Sequence, residues 1–226
     1  MAGPARLVVF DCDGTLVDSQ HAIVEAMNAA FRTHDLVAPA ARATRRVVGL
    51  PLAEAIGRLL PEGTQDRRAR VAETYRQAFF ALRRKPDHEE PLFPGAIDAL
   101  DALRRNGFQL AVATGKSRRG LDATLERHGL NDRFVALKTA DDGPGKPNPD
   151  ILHDAMSETG AVPETTVMIG DTTFDIVMAV RAKARAIGVS WGYHEPQELI
   201  ANGALRIAER FSELPELIAG LWGRSR

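Results

Sequence analysis

Asp11 and Asp13 stand one residue apart in FDCDGTLVDS, residues 10–19, directly after the apolar run LVVF. Two carboxylates so close repel unless a cation or a shared proton relieves them, so the pair calls for a metal ion or an acid/base role. Three further stretches carry residues suited to the same work. Thr114 and Gly115 follow LAVA, Lys146 lies in GKPNPD after FVALKT, and Asp171 and Asp175 lie in GDTTFDI. Together they supply carboxylates, a hydroxyl, backbone N–H groups and an ammonium, the equipment for handling a phosphoryl group with Mg²⁺. That ion takes oxygen ligands, for which Asp11, Asp171 and Asp175 would serve. One carboxylate of the Asp11/Asp13 pair can attack phosphorus and split a hydrolysis into two easier steps while the other relays the proton. Residue type and spacing leave open which does which. Lys146, the Thr114 hydroxyl and nearby backbone N–H groups would steady the charge on the transferring group.

Such a cluster forms only if the chain brings four distant segments to one place. From residue 91 onward, apolar runs at 108–114, 134–139, 166–171 and 185–192 alternate with helix-like stretches near 95–105, 117–128, 149–159 and 173–182. The alternation predicts parallel strands joined by crossover helices, with LVVF as one more strand. In open sheets of this kind ligands bind beyond the carboxyl ends of the strands, where all four stretches fall. Residues 18 to about 90 read differently. Ile23, Met27, Ala30 and Phe31 recur at helical spacing, as do Leu52, Ile56, Leu59 and Leu60, and then Val71, Tyr75, Phe79 and Leu82. This block closes on KPDHEEPLFPG, whose prolines and charges suit a hinge. The expected fold is α/β: a Rossmann-like parallel sheet core over 1–17 and 91–226, with a helical cap domain, 18–90, inserted after the first strand.

The stretches DCDGTLVDS, ATGK, GKPNPD and GDTTFDI, in this order and at these intervals, resemble the four motifs of the haloacid dehalogenase superfamily of phosphohydrolases. The helical insert resembles that family's cap, so the resemblance spans essentially the whole chain. It implies Asp11 as nucleophile, Asp13 as general acid/base, Thr114 and Gly115 as phosphate binders and Lys146 as charge clamp. It also implies Mg²⁺ on Asp171 and Asp175, with the Asp13 backbone carbonyl as a further ligand. The family's dehalogenase branch lacks the second motif aspartate, so Asp13 favours phosphate-ester chemistry. Within the family the look of the motifs and of the compact cap is nearest to phosphoglycolate phosphatases; pyrophosphatases, sugar-phosphate phosphatases and phosphoglucomutases share the same parts. Arg45 and Arg46, in RRVVGLPL, fall where the family keeps a substrate-specificity loop, which makes them candidates to meet an anionic substrate tail. A receiver-like signalling module also gathers acidic residues, a Thr and a Lys at strand ends. Such modules place the phosphate-accepting Asp on a later strand and carry no helical insert.

With 226 residues, 44% hydrophobic and 26% charged, the chain can bury one large core or two modest ones. A formal net charge of −1 gives no reason to expect nucleic acid, so the expected partner is a small phosphorylated metabolite. No run reaches the length of a membrane span, and the apolar segment at the start is too short for a signal peptide. Cys12 is the only cysteine, which rules out an intrachain disulfide and points to a reducing, cytoplasmic location. The GKS at 115–117 imitates the end of a nucleotide-binding P-loop, but the required earlier glycine would fall at Leu110. His21, His34, His88, His128, His153 and His194 offer no pair at metal-binding helix spacing and read as surface or capping residues. Arginine runs such as Arg83, Arg84 and Lys85 read as solvated helix faces.

Overall fold

A computed structural model describes residues 4–85 and 88–222. In it Leu7, Val8, Val9 and Phe10 are wholly buried, as a strand covered on both faces must be. This strand, β1 (Ala5–Phe10), is flanked by β2 (Gln109–Ala113) and β4 (Ala161–Gly170). With β3 (Ala136–Lys138), β5 (Arg185–Val189) and β6 (Arg206–Ala208) they form a parallel sheet of six strands in the order β3-β2-β1-β4-β5-β6. Phe10 pairs with Val112 on one side and Ile169 on the other, so the three central strands end at nearly one level. Strand order reverses at β1, and a sheet of this kind opens a ligand crevice at that point.

Alternating side chains feed two layers. Val8, Phe10, Leu110 and Val112 pack with Leu100 and Leu103 of α5 (Ala96–Arg105), Leu121 and Leu125 of α6 (Arg118–Arg127) and Ile218 of a C-terminal helix, Leu214–Leu221. Leu7, Val9, Ala111 and Ala113 face the other way, toward Ile151 and Leu152 of α7 (Asp150–Thr159) and Ile176 of α8 (Thr173–Arg181).

Between β1 and β2 the chain adds α1 (Gln20–Thr33), α2 (Ala41–Arg45), α3 (Leu52–Leu59) and α4 (Gln65–Arg83). They enclose a small core of their own, with Met27, Ala30, Phe31, Ile56, Val71 and Ala72. The two connections to the sheet run side by side: Asp18 N donates to Pro91 O at 2.8 Å and Phe93 N to Leu16 O at 3.0 Å. Among the described residues no helix is long and apolar enough to cross a membrane.

Several elements differ from the sequence reading. The strand expected over 134–139 shortens to β3, and the one expected over 185–192 stops at Val189, where the chain turns so that Tyr193 can reach Asp171. The expected 166–171 is the regular half of β4, whose pairing with β1 is irregular between Ala5 and Leu7. Strand β6, helix α2, α9 (Pro196–Ala201) and the C-terminal helix, α10, were not expected. The first three are too short to print a period on the sequence. The apolar face read along α4 divides: Val71 and Ala72 join the small core, whereas Phe79 lines a cavity.

Candidate active site

Asp11 continues the β1 ladder by one residue, its N–H bonded to Ile169 O at 2.9 Å. Asp171 likewise follows the last residue of β4, and Asp175 lies in the first turn of α8. Each of these three buried aspartates offers an oxygen within 4.8 Å of the others. Lys146, carried in from the loop after β3 and itself buried, places Nζ 2.6 Å from Asp11 Oδ1 and 2.6 Å from Asp175 Oδ1. Asp171 accepts from Thr15 Oγ1 at 2.8 Å and from Tyr193 N at 2.9 Å. Asp175 Oδ2 accepts from the N–H and hydroxyl of Thr172, which is the N-cap of α8; Asp171 takes no part in that cap. Gly14 is what lets the loop after β1 come so close. A Cβ there would lie 2.4 Å from Asp171 Oδ2, and its φ of 88° disfavours any side chain.

Three carboxylates therefore cluster around a site with one ammonium, which touches two of them. Burial pushes Asp11 up to about 7; Lys146 opposes the rise and Asp175 and Asp13 add to it. Burial, with Asp11 and Asp175 as neighbours, also holds Asp171 well above the ordinary carboxylate range. Lys146 shows the opposite balance: burial alone would lower it, and Asp11 and Asp175 outweigh burial. Asp11 Oδ2 is buried without a hydrogen-bond partner. An orphaned oxygen among hard donors carrying excess negative charge fits a divalent cation such as Mg²⁺.

Asp13 stands apart from this cluster. Its Oδ1 accepts from Ser19 Oγ at 2.6 Å and pairs with Lys116 Nζ at 2.8 Å. Burial alone would raise its pKa, but Lys116 and the Ser19 hydrogen bond prevail and hold it below the usual range. Neither Lys116 nor Ser19 was assigned from sequence. Both lie inside quoted motifs, ATGK and DCDGTLVDS, yet nothing in the spacing shows that the lysine folds back onto the first loop. Thr114 N donates to Lys138 O at 3.0 Å, and Thr114 Oγ1 accepts from Lys116 N at 3.2 Å, which leaves the hydroxyl proton for another acceptor. Gly115 lies directly under the insert: a Cβ there would fall 2.6 Å from Gly49 O.

A cavity of about 590 Å³ runs between insert and sheet, with Asp11, Asp13, Thr114, Gly115 and Lys116 in its wall. Arg45 and Arg46 are not among its lining residues. Arg46 instead makes a two-pronged pair with Glu198 of α9, its second prong at 2.9 Å, and Arg45 is the last residue of α2. The cationic side chains in the wall, besides Lys116, are Arg76, Arg83 and Arg84 of the α4 region and Arg119 and Arg127 of α6. Arg83 and Arg84, read from sequence as part of a solvated face, thus border the cavity, whereas Lys85 is exposed and pairs with Glu25 at 3.5 Å. His194 is a capping residue, its Nδ1 accepting from Thr173 N at 3.1 Å. Burial pushes the Cys12 thiol up, away from the reactive thiolate.

Residues 8–189 match the family described as haloacid dehalogenase-like hydrolase. The probable phosphatase IndB of Dickeya dadantii (strain 3937) is 40% identical over 209 residues, 92% of this chain and 91% of that protein. A phosphoglycolate phosphatase of Vibrio vulnificus (strain YJ016) is 29% identical over 94% of this chain and 96% of its own. The crystal structure of a hydrolase from Pseudomonas syringae, 29% identical, superposes with a TM-score of 0.84 over 94% of this chain and 97% of that one. Sheet, insert and the clustered aspartates all fall within these matches, and the chain belongs to the haloacid dehalogenase-like hydrolases, as one of their phosphatases.

Proposed function

We propose that this phosphatase hydrolyses a small phosphomonoester through an aspartyl-phosphate on Asp11, with Asp13 as general acid and base. The observation that carries the reading is the division of the carboxylates between two lysines. Asp11 shares Lys146 with Asp175 and keeps one oxygen unpartnered, while Asp13 is held separately on Lys116. Asp11, Asp171 and Asp175, with the backbone carbonyl of Asp13, would hold Mg²⁺. When bound, the ion supplies positive charge that favours the ionised form of Asp11 and offsets charge on the phosphoryl oxygens.

In the first step an Asp11 oxygen bonds to phosphorus, the bond from phosphorus to the leaving oxygen breaks, and the Asp13 carboxyl proton passes to that oxygen. Water then attacks the same phosphorus and gives its proton to the Asp13 carboxylate. The bond to Asp11 breaks and inorganic phosphate departs. Lys146, the Thr114 hydroxyl and the Gly115 N–H steady the transferring group. Lys116 and Ser19 favour the carboxylate form of Asp13, the form that the second step needs. Residues 18–90 act as a cap on the core of 1–17 and 91–226, closing to exclude water from the first step and opening to admit it to the second. Phosphoglycolate, the substrate named for the Vibrio relative, would require a cation for its carboxylate. Arg45 and Arg46 lie away from the cavity and do not supply it.

The test is phosphate release from simple phosphomonoesters with and without a chelator, together with rapid acid quenching of labelled protein. Turnover should vanish on chelation and return with Mg²⁺, and Asp11→Asn should carry no label. Undiminished turnover in chelator, or label on the Asn variant, would sink the reading.

A further inference from the structure

Past Asp13 the cavity changes character. Met27 of α1, Val47 and Leu50 of the segment after α2, and Tyr75 and Phe79 of α4 line it. The two rings stack, with centroids 5.8 Å apart and planes 26° from parallel. The two inner cations are already committed. Lys116 is paired with Asp13. Arg83, only 10% exposed, gives Nε to Glu90 at 2.7 Å and Nη1 to Gly120 O at 3.0 Å. Arg84 and Arg119 are exposed and sit against the Phe80 ring, 5.8 and 4.2 Å from its centroid, Arg76 pairs with Glu73 at 3.4 Å, and Arg127 gives Nη1 to His88 O and Nη2 to Arg83 O. A short acid bound beside Asp13 would therefore place its carboxylate among methyl groups and rings, or strip a cation from a buried partner, and either is costly. The volume points the same way: about 590 Å³ lies in the range that encloses ring-bearing ligands, far more than a two-carbon acid fills.

Phe79 also lies next to the proton relay. Lys116 Nζ is 2.8 Å from Asp13 Oδ1 and 5.2 Å from the Phe79 ring centroid, so a ring one carbon removed from the leaving oxygen would reach it. Resting on the phosphatase reading above, we propose that the substrate is a phosphomonoester whose leaving group carries an aromatic or heteroaromatic ring, seated against Met27, Val47 and the Tyr75 and Phe79 rings.

The test compares kcat/KM of the full chain with Mg²⁺ on benzyl phosphate, ethyl phosphate and 2-phosphoglycolate. Benzyl alcohol and ethanol are primary alcohols of similar acidity, so the ratio of their esters reports the ring and not the leaving-group chemistry. Benzyl phosphate should lead both others by at least about tenfold, in line with burial and stacking of one ring. The benzyl-to-ethyl ratio should fall most in Phe79→Ala and partly in Phe79→Leu, which keeps apolar bulk should the alanine variant fold poorly. Equal use of ethyl phosphate or phosphoglycolate, or a ratio unmoved in both variants, overturns the inference while leaving the phosphatase reading in place. No release from any ester, with no label taken up from acetyl phosphate, defeats both.

Discussion

Lys146 and Lys116 have different surroundings although each contacts an aspartate of the proposed mechanism. Lys146 is enclosed by two carboxylates at 2.6 Å, whereas Lys116 meets Asp13 and the face of Phe79. Changing Lys116 to Met removes the ammonium and keeps the stem. Burial, no longer opposed by that charge, then raises Asp13. In the proposed reaction phosphoryl transfer to Asp11 needs protonated Asp13, so its alkaline limb should move to higher pH. By the same proposal, decay of the phosphoenzyme needs the carboxylate and should slow at the acid end. Rapid-quench pH profiles of the two steps would show this, and an unmoved profile would leave Lys116 a role in packing alone.

The insert meets the sheet domain through the ends of α2 and α4 and through the segment between α2 and α3. The end of α2 reaches α9 through Arg46 and Glu198, and His194 Nε2 lies 3.3 Å from Arg46 O. The end of α4 reaches α6, where Arg127 Nη2 donates to Arg83 O at 3.1 Å and Arg83 to Gly120 O at 3.0 Å. Between them Gly49 rests on Gly115. Arg46 and Glu198 are 40% and 39% exposed, so their pair contributes little to overall stability and can open and reform readily. Replacing Arg45 and Arg46 together by Ala should raise KM for anionic and neutral esters in equal proportion, with little change in melting temperature. A rise confined to anionic esters would bring these arginines back to the substrate.

For the molecule as a whole, the crowded carboxylates act on stability. Asp11 and Asp171 hold protons more tightly folded than unfolded, so their contribution is fully present below the unfolded carboxyl range. It is lost as pH rises through about 7, the value for Asp11, at a cost on the order of a few kcal/mol. Mg²⁺ held by these aspartates would relieve the same repulsion and would have to displace protons to do so. Melting curves with and without Mg²⁺ should therefore diverge from pH 5 to pH 8, with the larger Mg²⁺ gain at the higher pH. A gain that does not change with pH would place the ion away from these aspartates.

The parallel sheet, the helical insert and the carboxylate cluster were legible in the sequence because each is written in local pattern. Four apolar residues, Leu7 to Phe10, closed by an Asp-x-Asp-Gly turn have the length and pattern of a strand buried on both faces, and a strand that ends so carries its charges to the sheet's carboxyl edge. The partners of those charges were not legible. Helical period marks the face of α4 that avoids water, but not that Phe79 on this face would border a cavity while Val71 fills a core. Arg45 ends a helix of five residues and Arg46 follows it; so short a helix prints no period on the sequence, and its packing delivers Arg46 to Glu198. Lys116 reaches Asp13 across 103 positions of chain only because β1 and β2 are neighbours. Backbone geometry repeats over a few residues and so prints itself on the sequence; which charges and rings finally meet depends on packing between segments far apart, and only the tertiary structure decides it.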